Sequence, residues 1–300
     1  MERKLIALST MAFVFFFFTS TGIGQAQDST KGFSLKITGG CGTMATGDYN
    51  AFGKDFEQYL DDLIPLIESW NGFQVSRTGE FKKINMGSEF EGEIIMDLSG
   101  TFGIGFGVGY VSRSSDSKMG LSIDDLGSLS YSIEPTISFT PINLSLYLFP
   151  PVAPAMDVYL YGGFGYYMGK FTAISKMVTD GYWEKSESEL KDKGLGFHAG
   201  AGLEFNVAPK VAVFIEGKGR YCKLKSWEGD STLTDSDGWT GSESGTMWYY
   251  EARDYDTGKW YSTIALQEDK PSEDNDIRNI REFEANLSGI SLRIGIRIKF

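Results

Sequence analysis

Apolar and polar residues alternate one for one over much of this chain. At its end, Ile290, Leu292, Ile294, Ile296, Ile298 and Phe300 make one unbroken apolar face, and Gly289, Ser291, Arg293, Gly295, Arg297 and Lys299 make the other. Strand side chains alternate sides with a period of two, so 285–300 predicts a strand with one apolar and one charged surface, closing on an aromatic. The same period predicts seven more strands, over 31–43, 88–99, 102–112, 129–149, 157–172, 194–207 and 210–225. In 102–112, Ile104, Phe106, Val108 and Tyr110 alternate with Gly103, Gly105, Gly107 and Gly109. Glycines at the inward positions leave room for large side chains from across a lumen, and Tyr159, Tyr161 and Tyr167 are candidates to fill it. Along 129–149 the apolar positions change parity, from Leu129, Tyr131, Ile133, Ile137 and Phe139 to Ile142, Leu144, Leu146 and Leu148. A one-residue change of phase moves every side chain to the opposite face, so a β-bulge is expected near Thr140-Pro141.

The connections alternate in length. The turns around Gly100, Pro151 and Pro209 are short, whereas 44–87, 113–128, 173–193 and 226–284 are long. Strands of about ten residues, apolar outside and polar inside, with short turns at one end and long loops at the other, predict an all-β fold: an eight-stranded antiparallel up-and-down transmembrane β-barrel, short turns periplasmic and long loops extracellular. Glu91, Glu93, Asp97, Glu134, Glu204 and Glu216 are expected to meet Lys218, Arg220, Arg293 and Arg297 inside it. Charges in a narrow interior must be paired, and a barrel this small is filled by its own side chains.

The amino terminus reads differently. Met1-Glu2-Arg3-Lys4 precedes an apolar run from Leu5 to Phe18, then Gly24-Gln25-Ala26. A basic start, a short apolar core and small residues at that spacing predict a signal peptide over 1–26, with the mature barrel over 27–300. The run is shorter than the roughly 20 residues a membrane-spanning helix needs. Composition agrees with a barrel: 37 Gly, 22 Phe and 15 Tyr against 8 Pro and 1 His. Cys41 and Cys222 fall on non-neighbouring strands with opposite facing, so two free thiols are expected.

The loops carry the remaining signals. Phe52, Phe56, Tyr59, Leu60, Leu63, Ile64 and Ile67 recur at helical spacing among acidic residues, predicting an amphipathic helix of about four turns, either packed on the barrel rim or acting as a lid. The segment 226–284 holds most of the formal net charge of −12. Within it, 246–252 and 259–264 flank Asp254-Tyr255-Asp256-Thr257-Gly258 and predict a projecting hairpin with exposed aromatics, a surface suited to recognition. Asp235-Ser236-Asp237-Gly238 and Asp254–Gly258 echo calcium loops without the closing Glu, so loose divalent bridging is expected and no specific metal site. The one histidine, His198, lies on the lumen side without a marked nucleophile and is read as a hydrogen-bonded plug residue, so neither catalytic nor cofactor residues are assigned.

The strand count, the loop alternation and the ending Ile294-Gly295-Ile296-Arg297-Ile298-Lys299-Phe300 together resemble the small eight-stranded outer membrane barrels, the OmpA-type transmembrane domain and its stand-alone relatives, without the peptidoglycan-binding domain of the two-domain members. That resemblance implies residence in the outer membrane of a Gram-negative-type bacterium, contact with membrane lipid and lipopolysaccharide, and delivery to the barrel assembly machinery through the terminal strand and Phe300. The expected role is non-enzymatic and structural, or surface interaction with an extracellular ligand through acidic, aromatic loops. The rival expectation is a narrow channel or carrier for small hydrophobic molecules, using an opening near Pro141 and the glycine-lined third strand. Nucleic acid is not an expected partner.

Overall fold

A computed structural model describes residues 32–124, 127–151 and 156–300. The expected signal peptide, the start of the first strand at Lys31 and most of the turn after Pro151 lie outside the described residues. The elements run β1 (Phe33–Thr43), α1 (Asp48–Asn71), β2 (Val75–Glu80), β3 (Met86–Asp97), β4 (Phe102–Ser114), β5 (Ser117–Ile123), β6 (Gly127–Leu148), β7 (Met156–Thr179), β8 (Tyr182–Ala208) and β9 (Val211–Tyr221). Then come β10 (Lys223–Leu224), β11 (Glu228–Asp235), β12 (Thr240–Arg253), β13 (Trp260–Gln267), β14 (Ile277–Glu282), β15 (Ala285–Asn286) and β16 (Gly289–Lys299).

Every pairing is antiparallel. β1 pairs with β3, β3 with β4, β4 with β6, β6 with β7, β7 with β8, β8 with β9, β9 with β16, and β16 with β1. The ladder therefore returns to its starting strand after these eight. Eight is not the whole count, however: among the described residues the sheet has 14 strands and a separate ribbon has 2. β5 and β2 add to the far half of β6, and β11, β12 and β13 continue outward from the far half of β8, with β14 on β12. The segment 173–193, expected to be a loop, is the far half of a single hairpin in which β7 and β8 pair without a break from Met156–Phe205 to Thr179–Tyr182. Its outward face carries Lys170, Lys176, Glu187 and Glu189, so the apolar alternation that marks the near half is lost there.

The expected bulge at Thr140-Pro141 is absent. β6 holds one register with β7 from Ser130–Val178 to Leu148–Leu160, and its pairs with β4 stop at Val108–Ile142 and resume at Val111–Phe139 in the same register. Proline has no N–H to donate, so the ladder lapses beside it without slipping. Odd-numbered side chains of β6 point inward throughout: Tyr147, Ser145 and Asn143 in the near half, then Phe139, Ile137 and Ile133 in the far half, all buried. What changes at Thr140 is which side is apolar. In the near half the outer face is Ile142, Leu144 and Leu146 and the inner face polar; in the far half the outer face is Thr140, Ser138, Thr136 and Glu134 and the inner face apolar. The same exchange occurs after Tyr110 on β4, after Met168 on β7 and before Leu195 on β8.

The inward apolar groups of the far half form one core with Met44, Leu60, Phe81, Ile84, Trp227, Met247, Phe283 and Leu287. Helix α1 closes it. Its 24 residues exceed the four turns expected, entering at Gly47 (φ 56°) and ending where Gly72, at φ 72°, donates its N–H to the Glu68 carbonyl. Pro65 sits inside the helix without ending it. No helix among the described residues is long and apolar enough to cross a membrane.

Candidate functional site

The near half of the ring is filled by charge. At one mouth Arg297 meets Asp97 at 3.1 Å and Glu204 at 3.4 Å, and donates to Ser34 Oγ at 2.8 Å. One level in, Lys36 donates to Glu216 at 2.6 Å and to the Tyr147 hydroxyl at 3.1 Å, with four aromatic rings within 5.4 Å of its ammonium. Arg293 spans Glu91 and Glu216 and donates to the Tyr161 hydroxyl at 3.0 Å. Lys218 also reaches Glu91 at 2.6 Å, and Asn143 donates to it at 3.1 Å. At the far level Arg220 meets Glu89 at 2.8 Å, with Arg113 on the same carboxylate at 3.5 Å. Six carboxylates (Glu89, Glu91, Glu93, Asp97, Glu204 and Glu216) thus face seven cations (Lys36, Arg113, Lys218, Arg220, Arg293, Arg297 and, at the mouth, Lys299, 2.6 Å from Glu204).

Most of this network follows from the alternation in the sequence, with one correction. Glu134 lies on the outer face of β6, exposed, because it falls in the far half where the polar side is outside. Lys36, Glu89 and Arg113 complete the network and were not singled out, although each sits at an inward-parity position of its strand. The glycine pockets are also differently filled. A Cβ at Gly105 would meet Glu93 and Tyr147, whereas Tyr159 and Tyr161 lie over Gly202 and Gly200 of β8, where an added Cβ would run into their rings. Aromatics laid on glycines of a neighbouring strand rigidify a wall that lacks side chains of its own.

His198 does have a partner: its Nε2 is 3.0 Å from Ser145 Oγ. Nucleophilic catalysis needs a third group to orient the base, and His198 Nδ1 has no hydrogen-bond partner among the described residues. Above the charges, a cavity bounded by Glu89, Glu91, Val111, Phe139, Tyr167, Lys218, Arg220 and Arg293 amounts to only about 10 Å³, roughly the room for one water. Beyond it lies the apolar core. Cys41 and Cys222 are both free, Cys41 on the outside and Cys222 buried inside.

The far half is a curved sheet with two edges, β2 and β13, and α1 bridges them. On one side Arg77 of β2 meets Glu57 at 2.6 Å and Asp61 at 2.7 Å. On the other, Asp62 accepts from Lys259 at 2.8 Å and from the Tyr261 hydroxyl at 2.8 Å, and Asp55 accepts from the Ser262 N–H at 3.1 Å. The Lys259 hydrogen bond holds the Asp62 carboxyl below its ordinary range, while burial and Asp62 push the Tyr261 phenol up to about 12. Asp48, near the helix start, is held by Arg281, with 2.6 Å between Oδ1 and Nη2.

Between α1 and the sheet opens a cleft of about 300 Å³, whose lining includes Phe52, Tyr131, Ile264 and Leu266 together with Ser175, Ser186, Ser188 and Ser231. The hairpin expected over 246–264 is present as β12 and β13. Its turn acids serve the turn, Asp254 Oδ1 accepting from the Thr257 N–H at 2.7 Å; Asp235 Oδ1 likewise accepts from Asp237 and Trp239. Among the described residues no group of three His, Cys, Asp or Glu side chains is placed to hold a metal ion.

Comparison with solved structures gives the outer membrane protein OprG from Pseudomonas aeruginosa, at 12% identity and TM-score 0.37, covering 91% of this chain and 98% of that one. A major outer membrane protein from Thermus thermophilus gives 13%, TM-score 0.38, and 89% and 99% coverage. The outer membrane protease OmpT from Escherichia coli gives 9%, TM-score 0.25, and 94% and 100%. No curated protein matches by sequence. The family model for the outer membrane protein beta-barrel domain matches residues 15–242, three quarters of the chain, and the chain therefore belongs to that outer membrane β-barrel family.

Proposed function

We propose that the eight strands of the closed ladder are the membrane-spanning barrel of an exported outer membrane protein, released from a signal peptide over 1–26, and that this barrel is a sealed, non-enzymatic stalk for an extracellular storey that does the protein's work. The carrying observation is the exchange of apolar faces at one level of the ring. An apolar outer surface with paired charges inside suits hydrocarbon; a polar outer surface over an apolar core suits water. Nine or so residues between those limits, tilted as in a barrel, span roughly the 25 Å band such proteins present to lipid. Exposed aromatics mark both rims: Phe90, Tyr110, Tyr166, Phe197 and Tyr221 on neighbouring strands at the upper one, and Phe33, Phe102, Phe205 and Phe300 at the lower. Such belts sit at the headgroup level. Lys170, Lys191 and Lys193 stand just above the upper rim, where lipopolysaccharide phosphates lie, and the outward face of β16 ending at Phe300 supports recognition by the barrel assembly machinery.

The rival reading, a conduit for small hydrophobic molecules, needs a path. The absent bulge at Pro141, the paired charge network and the apolar core above it argue against one. Liposomes carrying the refolded full chain, with insertion verified by heat-modifiable gel mobility, are expected to retain small solutes. Leakage above protein-free vesicles would overturn the sealed stalk and bring the conduit forward.

A further inference from the structure

The inner wall of the far half changes character over one step. On β8, Leu190 is fully buried in the apolar core, yet the next inward positions are Ser188 and Ser186. On β7, Phe171 is buried and two steps further stands Ser175, while β11 sets Ser231 opposite Ser188. Ser231 Oγ lies 2.9 Å from Ser186 Oγ and 3.0 Å from Ser188 Oγ. Each hydroxyl carries one donor and two acceptor sites, so three serines sharing two hydrogen bonds leave most of that capacity unused. A sheet face that only closed a core would be apolar here, as it is one level below. Tyr131 stands beside Ser175 on the neighbouring strand, its ring braced by Phe56 at 5.1 Å, and Phe52 of α1 with Ile264 and Leu266 of β13 also line the cleft.

We propose that this cleft is a binding site for a neutral sugar, a mono- or disaccharide that lays its C–H face on Phe52 and Tyr131 and gives its hydroxyls to Ser175, Ser186, Ser188 and Ser231. Three properties of the lining select that class. A volume of about 300 Å³ stands at the small end of ligand pockets, which run from roughly 300 to 1,000 Å³. No Lys, Arg or His lines it and Glu243 does, so an anion is disfavoured. A wholly apolar ligand would desolvate the serine hydroxyls without replacing their hydrogen bonds, which costs free energy. Aromatic rings beside convergent hydroxyls fit a ring that is apolar on its face and polar at its edge. The inference rests on the reading that this storey faces the outside of the cell; solute retention tests that reading separately, and a failure to bind sugar leaves it intact.

The experiment titrates a panel of neutral methyl glycosides and disaccharides against the full chain in lipid nanodiscs, read by saturation-transfer NMR and calorimetry. At least one sugar is expected to saturate. Its affinity should fall at least tenfold in the double variant Ser188→Val with Ser231→Val, and also when Ser231→Phe fills the cleft, with the unfolding midpoint of each variant close to that of the parent. Absence of saturable binding by every sugar overturns the site, as does binding indifferent to both variants. Saturable binding of N-phenyl-1-naphthylamine that Ser231→Phe abolishes and no sugar displaces also overturns it, since the cleft would then be an apolar one.

Discussion

The near and far halves of β6, β7 and β8 are the same strands in the same register, yet they are built inside out with respect to each other. In the near half Leu144 and Phe164 point outward and Asn143, Ser145 and His198 inward; in the far half Thr136 and Lys176 point outward and Ile137, Phe171 and Leu190 inward. Side-chain direction is set by the pleat and does not change along a continuous strand. Burial preference is set by whatever lies outside the wall. A change of apolar parity without a change of register is therefore evidence about solvent, and on β6 the barrel reading proposed above puts the upper membrane boundary between Ile142 and Thr140.

The largest test of the contrast lies in the near half's interior. Arg293 holds Glu91 and Glu216 together deep in the ring and is almost wholly buried, so Arg293→Leu leaves Glu91 to Lys218 and Glu216 to Lys36 alone and the buried network one positive charge short. Removing one partner of a buried pair costs roughly 3–5 kcal/mol. Urea unfolding in lipid should show a loss of that size. An unchanged midpoint would mean that the interior is hydrated enough to solvate the uncompensated negative charge, and the lumen would no longer count as sealed.

A matched pair on the outer face of β6 sharpens the boundary itself. Leu144→Arg places a charge near the middle of the apolar band and should destabilise by about 2–4 kcal/mol. Thr136→Arg makes the same change on the same face of the same strand, eight residues away, and should stay within about 0.5 kcal/mol, as substitutions at watered surfaces do. Equal costs at both positions would remove the membrane boundary from between them.

How much of this was legible before the structure depended on the same boundary. The eight ring strands, the inward Arg293, Arg297, Lys218 and Glu216, and the free thiols follow from alternation alone, because lipid outside and charge inside give that pattern its full contrast. Parity read as geometry predicts a bulge at Pro141 and puts Glu134 in the lumen; neither holds, because the apolar side changes while the register does not. Above the boundary the contrast fades. Along 173–193, Ser175, Ser186 and Ser188 face inward and Lys176 and Glu187 outward, so both faces are polar and a strand reads as a loop. The helix is visible by its spacing, but its place between the edges of β2 and β13 is not: it depends on Arg77 just beyond its end and on Lys259 and Tyr261 far away in sequence, none of which carries a periodic signal.

The smallest effect concerns that clasp, which the near half has no need of because its ladder closes on itself. The Lys259 hydrogen bond, helped by Tyr261, holds Asp62 below its ordinary value, so the folded state favours the ionised carboxylate. A depressed acid contributes stability above its unfolded pKa of about 4 and loses it as pH falls through the folded value. The pair is partly solvent-exposed, and such pairs contribute at most about 1 kcal/mol. The loss should therefore appear locally and not as global unfolding. Hydrogen exchange of the β13 amides, Trp260–Gln267, should quicken as the pH is lowered below about 4, once intrinsic exchange is corrected for, while the β16 amides, Gly289–Lys299, keep their protection. Asp62→Asn should give the low-pH behaviour of β13 already at neutral pH. If β13 and β16 respond alike, the two halves open as one unit, and α1 is a passive cover whose contacts with the sheet edge do not hold it.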